Sequence, residues 1–197
     1  ILAINLDEGD ELDWVKLTDG TRQLMIATKK GMSISFNETD ARVIGRTARG
    51  VKAITLRSGD EVTGMCVFEE GKKVLTVSET GYGRRSEMSN YRVQSRGGKG
   101  LTNYKTALYG DVASIAMVSE DEDIILISSD GIIIRISAED ISTFSRTSKG
   151  VRVMRVAQGE KVATLSITEH ESDEISELPE SVDPARRHQA FHSNSIP

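Results

Sequence analysis

Short apolar runs of five to seven residues, rich in Val, Ile, Leu and Met, recur along residues 12–168 and are separated by Gly, Asp, Glu and Ser. They are too short for helices, and their β-branched content suits a pleated, half-buried surface. A first group predicts strands at Leu12–Leu17, Gln23–Thr28, Met32–Phe36 and Val51–Leu56. A second predicts strands at Val62–Phe68, Val74–Ser78, a weak Tyr82–Arg85 and the residues after Gly100. A third predicts Val112–Val118, Ile124–Ser128, Ile132–Ser137 and Val151–Val156. Turn dipeptides such as Asp19-Gly20 and Asp130-Gly131 punctuate the runs. The run Ile124-Ile125-Leu126-Ile127 predicts a strand covered on both faces. Residues 38–46 and 138–145 read as irregular loop with at most a helical turn. The class is all-β.

The three groups are copies of one unit. Gly31, Gly81 and Gly131 are spaced by fifty, as are Gly50, Gly100 and Gly150. The starts Gly9-Asp10-Glu11, Gly59-Asp60-Glu61, Gly110-Asp111 and Gly159-Glu160 keep nearly the same period. Four strands in about fifty residues mark a propeller-like blade. Repeats are expected at about 9–58, 59–108 and 109–158, with a closing strand over 159–168, so residues 1–168 form a partial array of three blades plus a strand of another. The chain opens at Ile1 inside strand-like pattern, which predicts a piece of something longer. Residues 169–197 read as an acidic, disordered tail.

Charge sharpens the picture. The net charge is −5, but residues 169–197 hold seven acids and two bases and carry all of it. In the neutral body the signs are segregated. Arg42, Arg46, Arg49, Lys52 and Arg57 fall together without an acid; so do Arg146, Lys149, Arg152 and Arg155. Arg84, Arg85, Arg92, Arg96, Lys99 and Lys105 are opposed only by Glu87. A basic face is therefore expected despite the acidic total.

The bases fall on a recurrent glycine loop: Arg46-Thr47-Ala48-Arg49-Gly50, Arg96-Gly97-Gly98-Lys99-Gly100 and Arg146-Thr147-Ser148-Lys149-Gly150. One such loop is most simply a turn between blades. It is not a nucleotide P-loop, because Gly100 follows Lys99 where Ser or Thr is required and Val93 replaces the upstream glycine. Three copies with matching charges fit a track of phosphate contacts. Such contacts carry no sequence information and suit a protein that bends duplex DNA over a curved surface. The competing reading is a propeller-type protein-interaction module whose basic residues protect strand edges.

The stretch Tyr91-Arg92-Val93-Gln94-Ser95-Arg96-Gly97-Gly98-Lys99-Gly100-Leu101 resembles the GyrA-box in the C-terminal domain of the bacterial gyrase A protein, a family of type IIA topoisomerases. Gly45 to Lys52 and Val77 to Arg85 are similar to late-blade sequences of that domain. The resemblance covers residues 1 to about 168. It implies a β-pinwheel, whose blades exchange a strand with their neighbours, and double-stranded DNA wrapped on a basic rim to support ATP-dependent negative supercoiling by DNA gyrase. The DNA-binding residues it implies, together with the matching repeat positions, are Gln94, Arg96, Gly97, Gly98, Lys99 and Gly100, Arg46 and Arg49, Arg146 and Lys149, and Arg84, Arg85 and Arg92. Its partners would be the remainder of gyrase A, as a homodimer, and gyrase B, in the bacterial cytoplasm on the nucleoid and away from any membrane. No cofactor is expected in this piece, ATP and Mg being used by the complete enzyme. Ser95 stands where the principal box has arginine, and a full repeat precedes it, so this box reads as a second, degenerate copy. The related topoisomerase IV domain is the alternative; its box is usually more eroded.

Other candidates read as structural. Tyr82, Tyr91, Tyr104 and Tyr109 lack the acidic metal cluster or base that a cleaving tyrosine needs, and the resemblance places that tyrosine in another domain. Trp14 is expected in its blade, and Cys66 as an inert core thiol. Glu120 to Asp123 lack the spacing of an EF-hand and read as a solvated hairpin tip. His170, His188 and His192 all fall in the tail, which either solubilises or competes with DNA for the rim.

Overall fold

The computed structural model describes residues 3–170. The acidic tail beyond them, with His188 and His192, lies outside the described residues. Eleven strands are present among those described: β1 (Gln23–Thr28), β2 (Met32–Asn37), β3 (Val62–Val67), β4 (Lys73–Ser78), β5 (Tyr82–Ser86), β6 (Leu101–Thr102), β7 (Val112–Val118), β8 (Glu122–Ser128), β9 (Ile133–Ser137), β10 (Val151–Arg152) and β11 (Val162–Glu169). Helical structure among them is confined to the 3-10 turns Glu38–Asp40, Met88–Asn90 and Ala138–Asp140 and one α-turn, Thr106–Tyr109.

Each sheet is built around a hairpin and completed by strands from the next repeat. The first runs β3-β1-β2-β6, the second β10-β5-β4-β7 and the third β11-β8-β9, all antiparallel. A register shift recurs where the inner strand meets the hairpin, at Ala27/Thr28, Val77/Ser78 and Val162/Thr164. Such a bulge bends and twists the strand. At the same corner a hydroxyl closes the hairpin turn: Thr28, Ser78 and Ser128 accept from the amides of Met32, Tyr82 and Ile132 at 3.1, 3.2 and 3.1 Å. Fifty-residue periodicity thus reaches down to single hydrogen bonds.

The core lies between sheets. Met25, Ala27, Cys66, Phe68, Val74 and Tyr91 fill the space between the first and second. Leu75, Val77, Val118, Ile124, Leu126 and Met154 fill that between the second and third. Strand β4 is therefore buried on both faces, with Val74 on one side and Leu75 and Val77 on the other. The run expected to be covered twice, Ile124–Ile127, is not. Ile124 and Leu126 are buried, but Ile125 and Ile127 are half-exposed, because among the described residues no further sheet stacks on that side.

Two expected strands do not form. Leu12–Leu17 and Val51–Leu56 are irregular, with Val15 79% and Leu17 fully exposed. Their counterparts β3, β7 and β11, and β6 and β10, each pair with the hairpin of the repeat before. Residues 3–11 contain no hairpin that could receive the first copy. The apolar pattern is present, but among the described residues no hairpin pairs with it. Trp14, expected in a blade, is accordingly only half-buried.

Candidate nucleic-acid interface

Each docked basic loop lies on the second strand of the preceding hairpin. For the central loop, the Gln94 amide donates to Ser35 O at 2.8 Å, the Gly97 amide to Ala53 O at 2.7 Å, and the Thr55 amide to Gly98 O at 2.8 Å. For the third loop, the Phe144 amide donates to Arg85 O at 2.9 Å. The glycine ending each of these loops is required by contact as well as by φ. Gly100 (φ 74°) and Gly150 (φ 84°) cross so close to β2 and β5 that a Cβ would stand 2.3 Å from Ser33 O and 2.1 Å from Gly83 O. No side chain fits there.

The cations divide into two sets. Lys99 and Arg92 are exposed and have no partner among the described residues. Arg46 and Arg49 are also exposed; Arg49 meets Asp7 at 2.8 Å in an open surface pair of little energetic weight. The others are engaged. Arg96 donates through Nε to Asp40 O at 3.2 Å and through a terminal nitrogen to Lys52 O. Arg146 donates in the same way to Thr102 O. Lys149 holds its ammonium 3.7 Å from the centre of the Tyr82 ring, with Arg152 4.6 Å from the same ring. Those two cations lower the Tyr82 phenol pKa, the Lys149 contact first.

Arg84 and Arg85, expected on the DNA-facing rim, are inside. Arg84 is wholly buried. Its guanidinium donates to Ser148 O at 3.0 Å, to Asn103 O at 2.6 Å, to Asn103 Oδ1 at 3.1 Å, to Ser86 Oγ and to Arg146 O. Its repeat equivalents are Ile34 and Ile134; arginine here replaces a core aliphatic and holds up the third loop from beneath. Arg85 donates to Ile141 O at 2.5 Å and pairs with Glu120 at 3.3 Å. Strand alternation failed to signal this because both faces of β5 are covered. Gln94, also expected to face DNA, has its Nε2 enclosed without a partner, at a position occupied by Ile44 and Phe144 in the sister loops.

Sequence reasoning passed over Asn103 altogether, and it named Arg152 as part of the basic face and Tyr104 as structural without joining either to these loops. Tyr104 is buried and donates to Lys149 O at 2.9 Å, while Asn103 and Arg152 contact Arg84 and Tyr82. The available signal was the fifty-residue offset, which aligns Lys52, Thr102 and Arg152.

The remaining candidates are structural. Burial pushes the Cys66 thiol pKa up to about 12, so no thiolate forms near neutrality. Glu120 to Asp123 do not cap a hairpin; they link the second sheet to the third. There Glu120 meets Lys73 at 3.0 Å, Glu122 meets Lys72 at 2.8 Å and Asp123 meets Arg135 at 2.7 Å. Tyr91 packs edge-on against Phe68, and Tyr109 against Tyr104.

Antiparallel sheets that complete one another by exchanging strands, with basic loops laid on outer strands, define a propeller-type repeat domain of the β-pinwheel kind. The chain belongs to the family described as DNA gyrase C-terminal domain, beta-propeller, whose pattern matches residues 22–65, 72–119 and 122–169. It is 56% identical over 54 residues to the DNA gyrase A protein of Halalkalibacterium halodurans, and 50% identical over 52 residues to that of Clostridium acetobutylicum. The aligned stretches are 27% and 26% of this chain but 6% of either relative. A solved DNA gyrase A C-terminal domain superposes with a TM-score of 0.76 at 28% identity, over 85% of this chain and 58% of that one. A C-terminal domain of DNA topoisomerase IV superposes at 0.79 with 22% identity, over 85% and 53%, which shows the shared fold.

Proposed function

We propose that this domain binds and wraps duplex DNA around its basic rim without reading sequence, as the C-terminal module of a gyrase A protein supporting negative supercoiling. The observation that carries this reading is the recurrence of exposed cations, Arg46 and Arg49, then Arg92 and Lys99, on the basic loops of consecutive repeats. Contacts of this kind neutralise phosphates and release counterions, and a duplex held by them on successive repeats would be bent at a deformation cost that many charge contacts offset. Cleavage falls to the rest of gyrase A, ATP hydrolysis with its Mg falls to gyrase B, and the setting is the bacterial cytoplasm. Among the described residues no helix is long and apolar enough to cross a membrane. The near-intact central box favours a gyrase domain over one of topoisomerase IV.

Electrophoretic retardation of a random-sequence duplex, titrated with salt, tests the reading. Binding should be independent of sequence and fall steeply between low and moderate salt. Absence of retardation at low salt, or an affinity indifferent to salt, would overturn it in favour of a protein-docking module.

A further inference from the structure

The two docked loops share a hydrogen bond that the DNA reading does not call for. Arg96 donates to the carbonyl of Lys52, and Arg146 to that of Thr102. Donor and acceptor are forty-four residues apart in both cases, and the acceptors occupy equivalent repeat positions. Each acceptor belongs to the segment that leaves the previous basic loop. The leading arginine of one loop is thus fastened to the exit of the loop before it. At the second junction Arg84 adds bonds to Asn103 O and Ser148 O, and Tyr104 bonds Lys149 O, so backbone from both loops converges on one buried cation. Meanwhile the lysines three positions on behave differently: Lys99 is exposed and unpartnered among the described residues, and Lys149 rests on an aromatic face.

We propose that the leading arginines Arg96 and Arg146 are positioning residues that set the spacing between consecutive basic loops, and hence the path of bound duplex, while phosphate is met chiefly by Lys99, Arg92 and the other exposed cations. The part concerning DNA rests on the function proposed above. The chemistry favours this division. A guanidinium presents several donors in a rigid plane and can grip two carbonyls while held against backbone, as Arg96 does with Asp40 and Lys52; an ammonium is a compact charge that a mobile phosphate can approach from any side. Lysine at position 96 or 146 would keep the charge and lose the grip.

The test separates grip from charge in the full 197-residue chain. Nitroxide labels on Ser95→Cys and Ser145→Cys, both exposed positions, report the spacing between loops without DNA; Cys66 is buried and silent. R96K/R146K should broaden or shift that distance distribution, whereas R92A/K99A, at two exposed side chains, should leave it as in the parent. On a short duplex, R92A/K99A should lower the slope of log affinity against log salt by about two, and R96K/R146K should keep it. On a duplex of ~150 base pairs, about one persistence length, end-to-end energy transfer should show less compaction with R96K/R146K at saturation. An unchanged label distance in R96K/R146K, with a slope lowered by about two in R96A/R146A, would overturn the proposal and make the arginines phosphate ligands. If the parent does not bind duplex at all, the DNA reading fails, and the label distances still decide the spacing role. Should the double variant lose cooperative unfolding, R96K and R146K singly carry the same comparison.

Discussion

A buried arginine without a carboxylate partner is a costly choice, and Arg84 shows what offsets the cost. Its guanidinium is surrounded by carbonyl and side-chain oxygens of Ser86, Asn103, Arg146 and Ser148, so desolvation is met by charge-assisted hydrogen bonds. Removing it leaves those oxygens unsatisfied as well as opening a cavity. Arg84→Ala should therefore destabilise the domain by about 2–4 kcal/mol in urea unfolding. Arg92→Ala, on an exposed side chain, should change stability by less than about 0.5 kcal/mol while weakening DNA binding. Glycines give a second graded expectation. Gly131 has positive φ but open space around it, so Gly131→Ala should cost about 1–2 kcal/mol. Gly100→Ala and Gly150→Ala must also displace a backbone carbonyl and should cost severalfold more, read in the same denaturation series. The fifty-residue spacing marks all three glycines as members of periodic sets. It does not distinguish them, because the difference lies in what a neighbouring strand places opposite each one.

At the scale of elements, the first two hairpins have both edges paired and the third does not. β9 carries no neighbour on its outer side among the described residues, and Ile132 and Ile133 at its start are 50% and 64% exposed. An apolar open edge is a template for pairing between molecules. Ile133→Lys should reduce concentration-dependent light scattering with little change in urea midpoint. Leu75→Ala, in the doubly covered β4, should cost about 2–5 kcal/mol by urea unfolding. The hairpin strands were legible from alternation and turn residues, since a hairpin is a local event. Leu12–Leu17 and Val51–Leu56 read just as clearly, yet form no strand. Their repeat-mates take partners from another repeat, and local pattern cannot report whether a distant partner is there.

For the whole molecule, acid should be the sensitive direction. Glu120 is held below the usual carboxylate range by Lys73 and Arg85, Glu38 by Thr18 and the Arg22 amide, and Asp19 by Thr21. A lowered native pKa means that these groups add stability above the ordinary carboxylate range and lose it as pH falls through their native values. The melting temperature should hold from neutrality down to about pH 4–5 and then decline; a melting series in matched ionic strength checks this. The chain's own residue order determined that it is all-β, that it repeats every fifty residues, and that its bases recur on a glycine loop, because periodicity and charge are properties of sequence alone. Only the tertiary structure decided which bases face outward. Arg84 and Lys99 are both basic residues of one repeat, but strand exchange lays the third loop over Arg84 and, among the described residues, nothing over Lys99. Burial is set by what packs on a residue from elsewhere in the chain, and that information is in no single stretch of it.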